Sequence, residues 1–481
     1  MDSAENEIFS GTKTQLLAAL FGTLFAISDG MCYGWTAPII PYLISPDSHI
    51  KTTKFEAEWL ETCLMVGSFL GLPITIYLVD KIGRKKSLLL AAMLSLISWI
   101  LIAFARNMAL LFVARFIFGV TANTSFVAAP IYVAEIADHK IRGFLSSIIY
   151  LNMLFGLILV YSVGPYLPFF VAPLIGVTVL FIELLVFPFM PETPYYLLYT
   201  NKKDEGKKSL EFFRPGKNIE QELADITKAV ARQKTEKGRL LDLFLVKANR
   251  KAITIMAILD AGQHLCAISV ILMNLHVILE AAGSIYIKSS TAAIIFAFFM
   301  FLAAYVSSLQ VDKYGRRCLL IVSLLTTALC LGALAIYFHL KMLGYDVTAA
   351  SWLPIVAVML YAACFKVGMG IVPIVLTAEI FSTRMKAMGM AISDLMYVTG
   401  SIVSLQLYQW LTHSYGLHVP FYLFTFCSIV ICIFTYVYIP ETKGKTLEEI
   451  QYLLKDEPMP PEKSDSLVNL ISNGSKSYST F

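Results

Sequence analysis

Twelve separate runs of about twenty apolar residues constrain this chain more than any other feature. An α-helix needs about 20 mostly apolar residues to cross a hydrocarbon core of about 30 Å. By that measure six spans fall near 15–36, 59–79, 87–105, 109–132, 144–166 and 169–189. Six more follow near 252–275, 289–310, 318–340, 352–377, 388–411 and 420–439. Composition agrees: of 481 residues 57% are hydrophobic and 15% charged, with mean hydropathy +0.69. A soluble chain of this length needs far more charge to cover its surface. The expected fold class is therefore an all-α polytopic membrane protein with twelve transmembrane helices. The expected divisions are an N-terminus at 1–14, a six-helix half at 15–190, a linker at 191–251, a second six-helix half at 252–440 and a tail at 441–481.

Charge sets the expected orientation. Lys81, Arg84, Lys85 and Lys86 follow span 2, and Lys140 and Arg142 follow span 4. Lys313, Arg316 and Arg317 follow span 8, and Arg384 and Lys386 follow span 10. Basic loops favour the cytoplasmic side, which would place both termini there. Within the linker Ile219, Leu223, Ile226 and Val230 recur at helical spacing beside Glu220, Glu222 and Lys228. That pattern reads as short amphipathic helices or, alternatively, as a disordered basic linker. The Ser- and Lys-rich tail beyond Pro458 reads as disordered. The acidic N-terminus has no basic stretch before its first apolar run, so a retained helix is expected rather than a cleaved signal.

The two halves repeat each other. Asp80-Lys81-Ile82-Gly83-Arg84-Lys85 returns as Asp312-Lys313-Tyr314-Gly315-Arg316-Arg317. Glu135 stands seven residues before Arg142, as Glu379 does before Lys386, and Pro191-Glu192-Thr193 is echoed by Pro440-Glu441-Thr442. Repeats of this kind mark a duplicated unit, and duplicated halves suit alternating access by rocking one against the other. The expected gate pairs Arg84 and Arg142 with Glu135 or Glu192, and Arg316 and Lys386 with Glu379 or Glu441; Asp80 and Asp312 open the two copies.

These motifs resemble those of the sugar porters of the major facilitator superfamily. Arg115-x-x-x-Gly119, Pro130-x-Tyr132-x-x-Glu135, Arg142-Gly143, Pro191-Glu192-Thr193-Pro194 and Pro440-Glu441-Thr442-Lys443-Gly444 extend the match from span 2 to the tail. Tyr33-Gly34-Trp35-Thr36-Ala37-Pro38 in span 1 is similar to insect members akin to facilitated trehalose transporters. The resemblance implies the major facilitator fold. It also implies a carrier of a sugar or polyol in the plasma membrane, working by facilitated diffusion or proton symport, with a central site built from spans 5, 7, 10 and 11.

That site departs from the family. Where span 7 usually reads Gln-Gln-Leu-Ser-Gly-Ile-Asn, this chain has Gln263-His264-Leu265-Cys266-Ala267-Ile268-Ser269. Asn274 stands at a tyrosine position, Ile374 at the span 10 tryptophan, Tyr150 at a span 5 glutamine, and Tyr397-Val398 at an Asn-Trp pair. A sugar leaves water only where new hydrogen bonds replace the old, since each buried one left unmade costs about 1–3 kcal/mol. An ordinary hexose site is therefore weakened, while Tyr150, His264, Ser269, Asn274 and Tyr397 could rebuild a different one.

Ionisable residues within spans are costly and are read as functional. Asp29, Asp260, Lys366 and Asp394 are of this kind. Asp29 falls about two residues before the acid of proton-coupled relatives. Lys366 is expected to pair with Asp394 or Asp260, or to extend to the interface. The eight cysteines include no C-x-x-C pair, so neither zinc nor a disulfide framework is indicated. No nucleophile–base set and no G-x-x-x-x-G-K-[ST] loop occurs, so neither an enzyme nor an ATP-driven pump is expected. No cofactor, nucleic acid or obligate protein partner is expected, only the bilayer and a small-molecule ligand. A carrier-derived nutrient sensor, which binds without flux, is the remaining alternative.

Overall fold

The computed structural model describes residues 2–138, 141–214, 219–235, 241–381, 385–443, 445 and 447–455, with backbone alone at 2–11, 142, 232–235, 308–313, 378, 386–387, 447–448 and 451. Lys140, Arg384 and the tail beyond Lys455 lie outside the described residues, as do the side chains of Arg142, Asp312, Lys313 and Lys386.

Among the described residues twelve helical stretches are long and apolar enough to cross a membrane, at Thr12–Ile44, Lys54–Ile82, Arg84–Ala103, Met108–Ile136, Gly143–Val163, Val171–Phe189, Lys247–Ala282, Ser289–Ser307, Arg316–Met342, Thr348–Thr377, Met388–Tyr415 and His418–Tyr438. The count matches the hydropathy reading, but span 1 reaches Ile44 rather than 36 and span 7 reaches Ala282 rather than 275. Past those two expected ends Ile39, Ile40, Leu43, Ile278 and Leu279 are buried, so these helices outlast their most hydrophobic windows.

The first span of each successive three is broken. Span 1 divides between helices Phe25–Gly34 and Thr36–Ile44, and span 4 between Met108–Phe126 and Ala128–Ile136. Span 7 divides between Lys247–Leu265 and Ile268–Ala282, and span 10 between Leu353–Val367 and Val372–Ile380. Proline explains three of these. A helical proline donates no N–H and its ring presses on the carbonyl four residues earlier. Pro38 and Pro130 stand four residues after Gly34 and Phe126, where helices end, and Pro373 stands four after Met369, in the turn between Val367 and Val372. Span 7 has no such proline. Its break is carried by Ala267, left-handed at φ 69°, and by Asn274 at φ −113° and ψ 15°. Pro73 in span 2 is absorbed without a break.

The linker folds into helices Pro194–Tyr199, Lys203–Phe213 and Ile219–Thr235, whose Leu198, Leu210, Leu223, Ile226 and Val230 bury one shared apolar cluster. The stripe Ile219, Leu223, Ile226, Val230 thus faces its neighbouring helices. Gln15 of span 1 fastens this unit to the first half, donating to the Phe213 carbonyl at 2.9 Å and accepting from the Asp138 N–H at 2.8 Å. Arg214 adds a 2.8 Å bond to the Ala137 carbonyl.

Candidate functional site

Each half closes its basic loop with the same construction. Arg84 donates from Nη2 and Nε to Glu135 Oε1 at 3.0 and 3.2 Å, and the Thr193 hydroxyl donates to Glu135 Oε2. In the second half Arg316 Nη2 meets Glu379 Oε1 at 2.7 Å, and the Thr442 hydroxyl donates to Glu379 Oε2 at 2.7 Å. Arg84 and Arg316 are largely buried, so these pairs are shielded from the screening that makes exposed ion pairs nearly worthless. Asp80 lies 3.9 Å from Arg84 with a 75% exposed side chain and adds little.

Of the expected alternatives, Arg84 takes Glu135 and Arg316 takes Glu379, while Glu192 and Glu441 turn to backbone N–H groups. Each caps the N-terminus of the next span, where backbone N–H groups lack helical partners and the helix dipole favours an anion. Glu192 accepts from the Lys85 N–H at 3.0 and 3.1 Å. Glu441 accepts from the N–H groups of Arg316, Arg317 and Lys443 at 2.9, 3.1 and 3.0 Å. This is why the motif needs glycine. Gly83 and Gly315 sit at φ 100° and 88°, and a Cβ there would lie 2.3 Å from Glu192 Oε2 or 2.8 Å from Glu441 Oε2. The two carboxyls differ in charge balance. Burial pushes Glu192 above the ordinary carboxylate range, with the Lys85 and Thr193 N–H groups only partly offsetting it. Burial acts on Glu441 too, but four backbone N–H groups outweigh it and hold that carboxyl below its ordinary value.

Away from the linker, the two halves are latched directly. Glu58 and Thr62 of span 2 meet span 11: His413 Nε2 lies 2.6 Å from Glu58 Oε2, Gln409 donates to the Glu58 carbonyl at 3.0 Å, and Gln406 donates to Thr62 Oγ1 at 2.6 Å. Glu61, fully buried, accepts from Asn274 of span 7 at 2.9 Å. The Tyr161 hydroxyl of span 5 donates to the Leu272 carbonyl. None of Glu58, Glu61 and His413 was expected from the sequence. A lone acid or histidine in an apolar run carries no spacing signal, and Glu61 would have shown itself only as an ionisable residue inside a span.

At the level of the breaks lies a polar cluster. Ser269 is its hub: Tyr33 of span 1 reaches it at 2.7 Å, His264 Nδ1 at 2.7 Å and Ser401 of span 11 at 2.9 Å. The Tyr397 ring packs edge-on against His264 with centroids 4.2 Å apart. Gln263 donates to Asp260 at 3.4 Å, and Asp394 of span 11 is close enough to Asp260 for their charges to interact. The structure thus brings together Gln263, His264, Ser269, Tyr397, Asp260 and Asp394, and adds Tyr33 and Ser401.

Other expected residues stand elsewhere. Asn274 belongs to the latch through Glu61, because the second irregularity of span 7 turns it toward span 2. Ile374 is 57% exposed and outside the cluster. Asp29 is buried within the first half, accepting from the Ser125 hydroxyl of span 4. Lys366 neither pairs with Asp394 or Asp260 nor reaches the interface. It is 6% exposed, and its Nζ donates to the Tyr150 hydroxyl across the two halves and lies 4.7 Å from that ring's centre. Span 10 presents Lys366 to span 5, whereas Asp260 and Asp394 belong to spans 7 and 11. Arg115, wholly buried, donates to the carbonyls of Cys32 at 2.6 Å and Leu60 at 3.3 Å, tying span 4 to spans 1 and 2.

The arrangement can bind a hydroxylated molecule between the halves and change access to it by rocking. A family model described as "Sugar (and other) transporter" matches residues 14–454. The chain is 29% identical over 450 residues to facilitated trehalose transporter Tret1 of Bombyx mori, covering 92% of this chain and 87% of that one. It is 29% identical over 446 residues to Tret1 of Anopheles gambiae, covering 91% of this chain but 56% of that longer protein. An inward open conformation of the xylose transporter XylE from E. coli matches with TM-score 0.75 and 21% identity, over 92% of this chain and 99% of that one. The proton:xylose symporter XylE bound to 6-bromo-6-deoxy-D-glucose matches with TM-score 0.70 and 21% identity, over 94% and 99%. At that identity the solved structures speak for the major facilitator fold alone.

Proposed function

This chain belongs to the sugar (and other) transporter family, and from that premise we propose that it carries a sugar or related polyol across the plasma membrane by facilitated diffusion. The linker and both termini are then cytoplasmic, in keeping with Lys81, Arg84, Lys85, Lys86, Arg316 and Arg317 at the same face. The names of the trehalose-transporting relatives make a disaccharide or hexose the first ligand to try.

The observation that carries the reading is the pairing of twin inner gates with a separate outer latch. Glu61–Asn274, Thr62–Gln406, Glu58–Gln409 and Glu58–His413 are four hydrogen bonds between halves. At about 0.5–1.5 kcal/mol each they amount to about 2–6 kcal/mol. Moving a two-state equilibrium from 1:99 to 99:1 takes about 5.5 kcal/mol. The latch is therefore strong enough to hold one state and weak enough for a ligand to help release it. Proposed gate roles fall to Arg84, Glu135, Glu192, Arg316, Glu379 and Glu441, and ligand contacts to Gln263, His264, Ser269, Tyr397 and Tyr33.

Uptake of labelled sugars and polyols into proteoliposomes, with and without a proton gradient, tests this. Saturable uptake that ignores the gradient is expected. Gradient-driven accumulation would replace facilitated diffusion with symport, and Asp29→Asn would then be the first variant to examine. Binding without counterflow would replace the carrier with a sensor.

A further inference from the structure

Lys366 is a buried basic residue that neither the gates nor the latch account for. It ends the first helix of span 10, next to the break at Gly368, and is 6% exposed. Its surroundings are the Tyr150 hydroxyl, the Tyr150 ring with its centre at 4.7 Å and the Phe365 ring at 5.7 Å. Among the described residues no carboxylate lies within 4.0 Å of its Nζ. A buried ammonium without an anionic partner is costly, and ring faces and one neutral hydroxyl replace only part of the lost hydration. The contact also joins the two halves, so it must loosen as they rock.

Spans 7 and 11 offer complementary chemistry. Asp260, Asp394 and Gln263 present carboxylate and amide oxygens, which accept hydrogen bonds from hydroxyl groups. A molecule with hydroxyls at one end and an acidic group at the other would satisfy both sides. We propose that Lys366 and Tyr150 recognise an anionic group, so that the carried molecule is a polyhydroxylated anion, such as a sugar acid or sugar phosphate. This rests on the transport reading above and narrows its substrate class. Lys366 supplies the charge, and Tyr150 donates its hydroxyl to the same anion once the lysine turns to the ligand.

The test is competition and counterflow in proteoliposomes holding the full chain at pH 7. Glucose and trehalose are set against glucuronate, gluconate and glucose 6-phosphate, the last three separating carboxylate from phosphate. At least one acid is expected to compete about tenfold better than its neutral counterpart, as suits a charge-assisted bond. Lys366→Gln should erase that preference, Lys366→Arg should keep most of it, and Tyr150→Phe should weaken it severalfold. Neutral sugars competing as well as the acids would overturn the proposal while leaving sugar transport standing, and would mark Lys366 as a brace between halves. An unchanged acid-to-neutral ratio in Lys366→Gln would overturn it as well. If neither acids nor neutral sugars bind or move, the transport reading fails and takes this inference with it. The wild-type panel decides even if a variant fails to fold.

Discussion

The two proposed gates share one plan and differ in one setting. Arg84, Glu135, Thr193, Glu192 and Gly83 are matched part for part by Arg316, Glu379, Thr442, Glu441 and Gly315. Yet burial leaves the cap of the first gate reluctant to ionise, while three or more N–H donors hold the cap of the second as a carboxylate. Duplication preserved who touches whom; it did not preserve the electrostatics. The Glu192 cap is thus the more easily protonated of the two, so the halves need not respond alike to acidification.

The largest effect should come from the arginines. Arg84→Ala and Arg316→Ala each strand a partly buried glutamate, at a cost of about 3 kcal/mol. Either variant should slow transport more than tenfold while ligand binding at equilibrium stays within a few-fold. Equal slowing would mean that the gates contribute alike; loss of binding at normal membrane levels would show that the arginine is not a gate. The glycines come next. Gly83→Ala meets a closer carboxylate oxygen than Gly315→Ala, 2.3 against 2.8 Å, and both carry the cost of a positive-φ region kept almost wholly for glycine, about 1–3 kcal/mol. Thermal unfolding in detergent should therefore rank Gly83→Ala below Gly315→Ala, and the reverse order would break the comparison.

A smaller effect separates the caps by pH. The raised Glu192 carboxyl stabilises the fold when protonated, so its contribution grows as pH falls from 7 through its folded value. It is complete below the ordinary value of about 4.3. The depressed Glu441 contributes above that ordinary value and loses its contribution as pH falls through its own lower one. Glu192→Gln should remove a rise in melting temperature as pH falls toward the ordinary carboxylate value, and Glu441→Gln should remove part of the fall below that value. The smallest change is expected in Ala267→Gly, which relieves a left-handed alanine worth about 1 kcal/mol. A melting point raised by this variant would place the strain in span 7, which has no proline to make its break.

Much of this was legible in the sequence, for identifiable reasons. Span number follows from hydropathy because lipid leaves the backbone no alternative to internal hydrogen bonding. The arginine–glutamate pairs follow because the motif recurs, which leaves Glu135 or Glu192 and Glu379 or Glu441 open; nothing in the spacing shows that Glu192 and Glu441 cap backbone N–H groups. Three helix breaks are written in the spacing of Pro38, Pro130 and Pro373. The ligand region was harder. Gln263, His264, Ser269 and Tyr397 do converge, but Asn274, Ile374 and Lys366 do not join them. Which way a residue faces past a break depends on the angle of that break, and Ala267 gives no sign of adopting one. Glu58, Glu61 and His413 escaped for another reason: their partners lie more than 200 residues away in the other half.

The linker helices have a practical consequence. Lys203–Phe213 and Ile219–Thr235 are fastened to the first half through Gln15 and Arg214. The closing helix Leu447–Lys455 is joined instead to the second half, where Lys247 donates to the Lys455 carbonyl at 2.8 Å. Each half therefore carries its own rigid handle outside the bilayer. Fluorophores at Lys228 and Lys455, both exposed, would report the swing of one half against the other in real time, with every span left untouched.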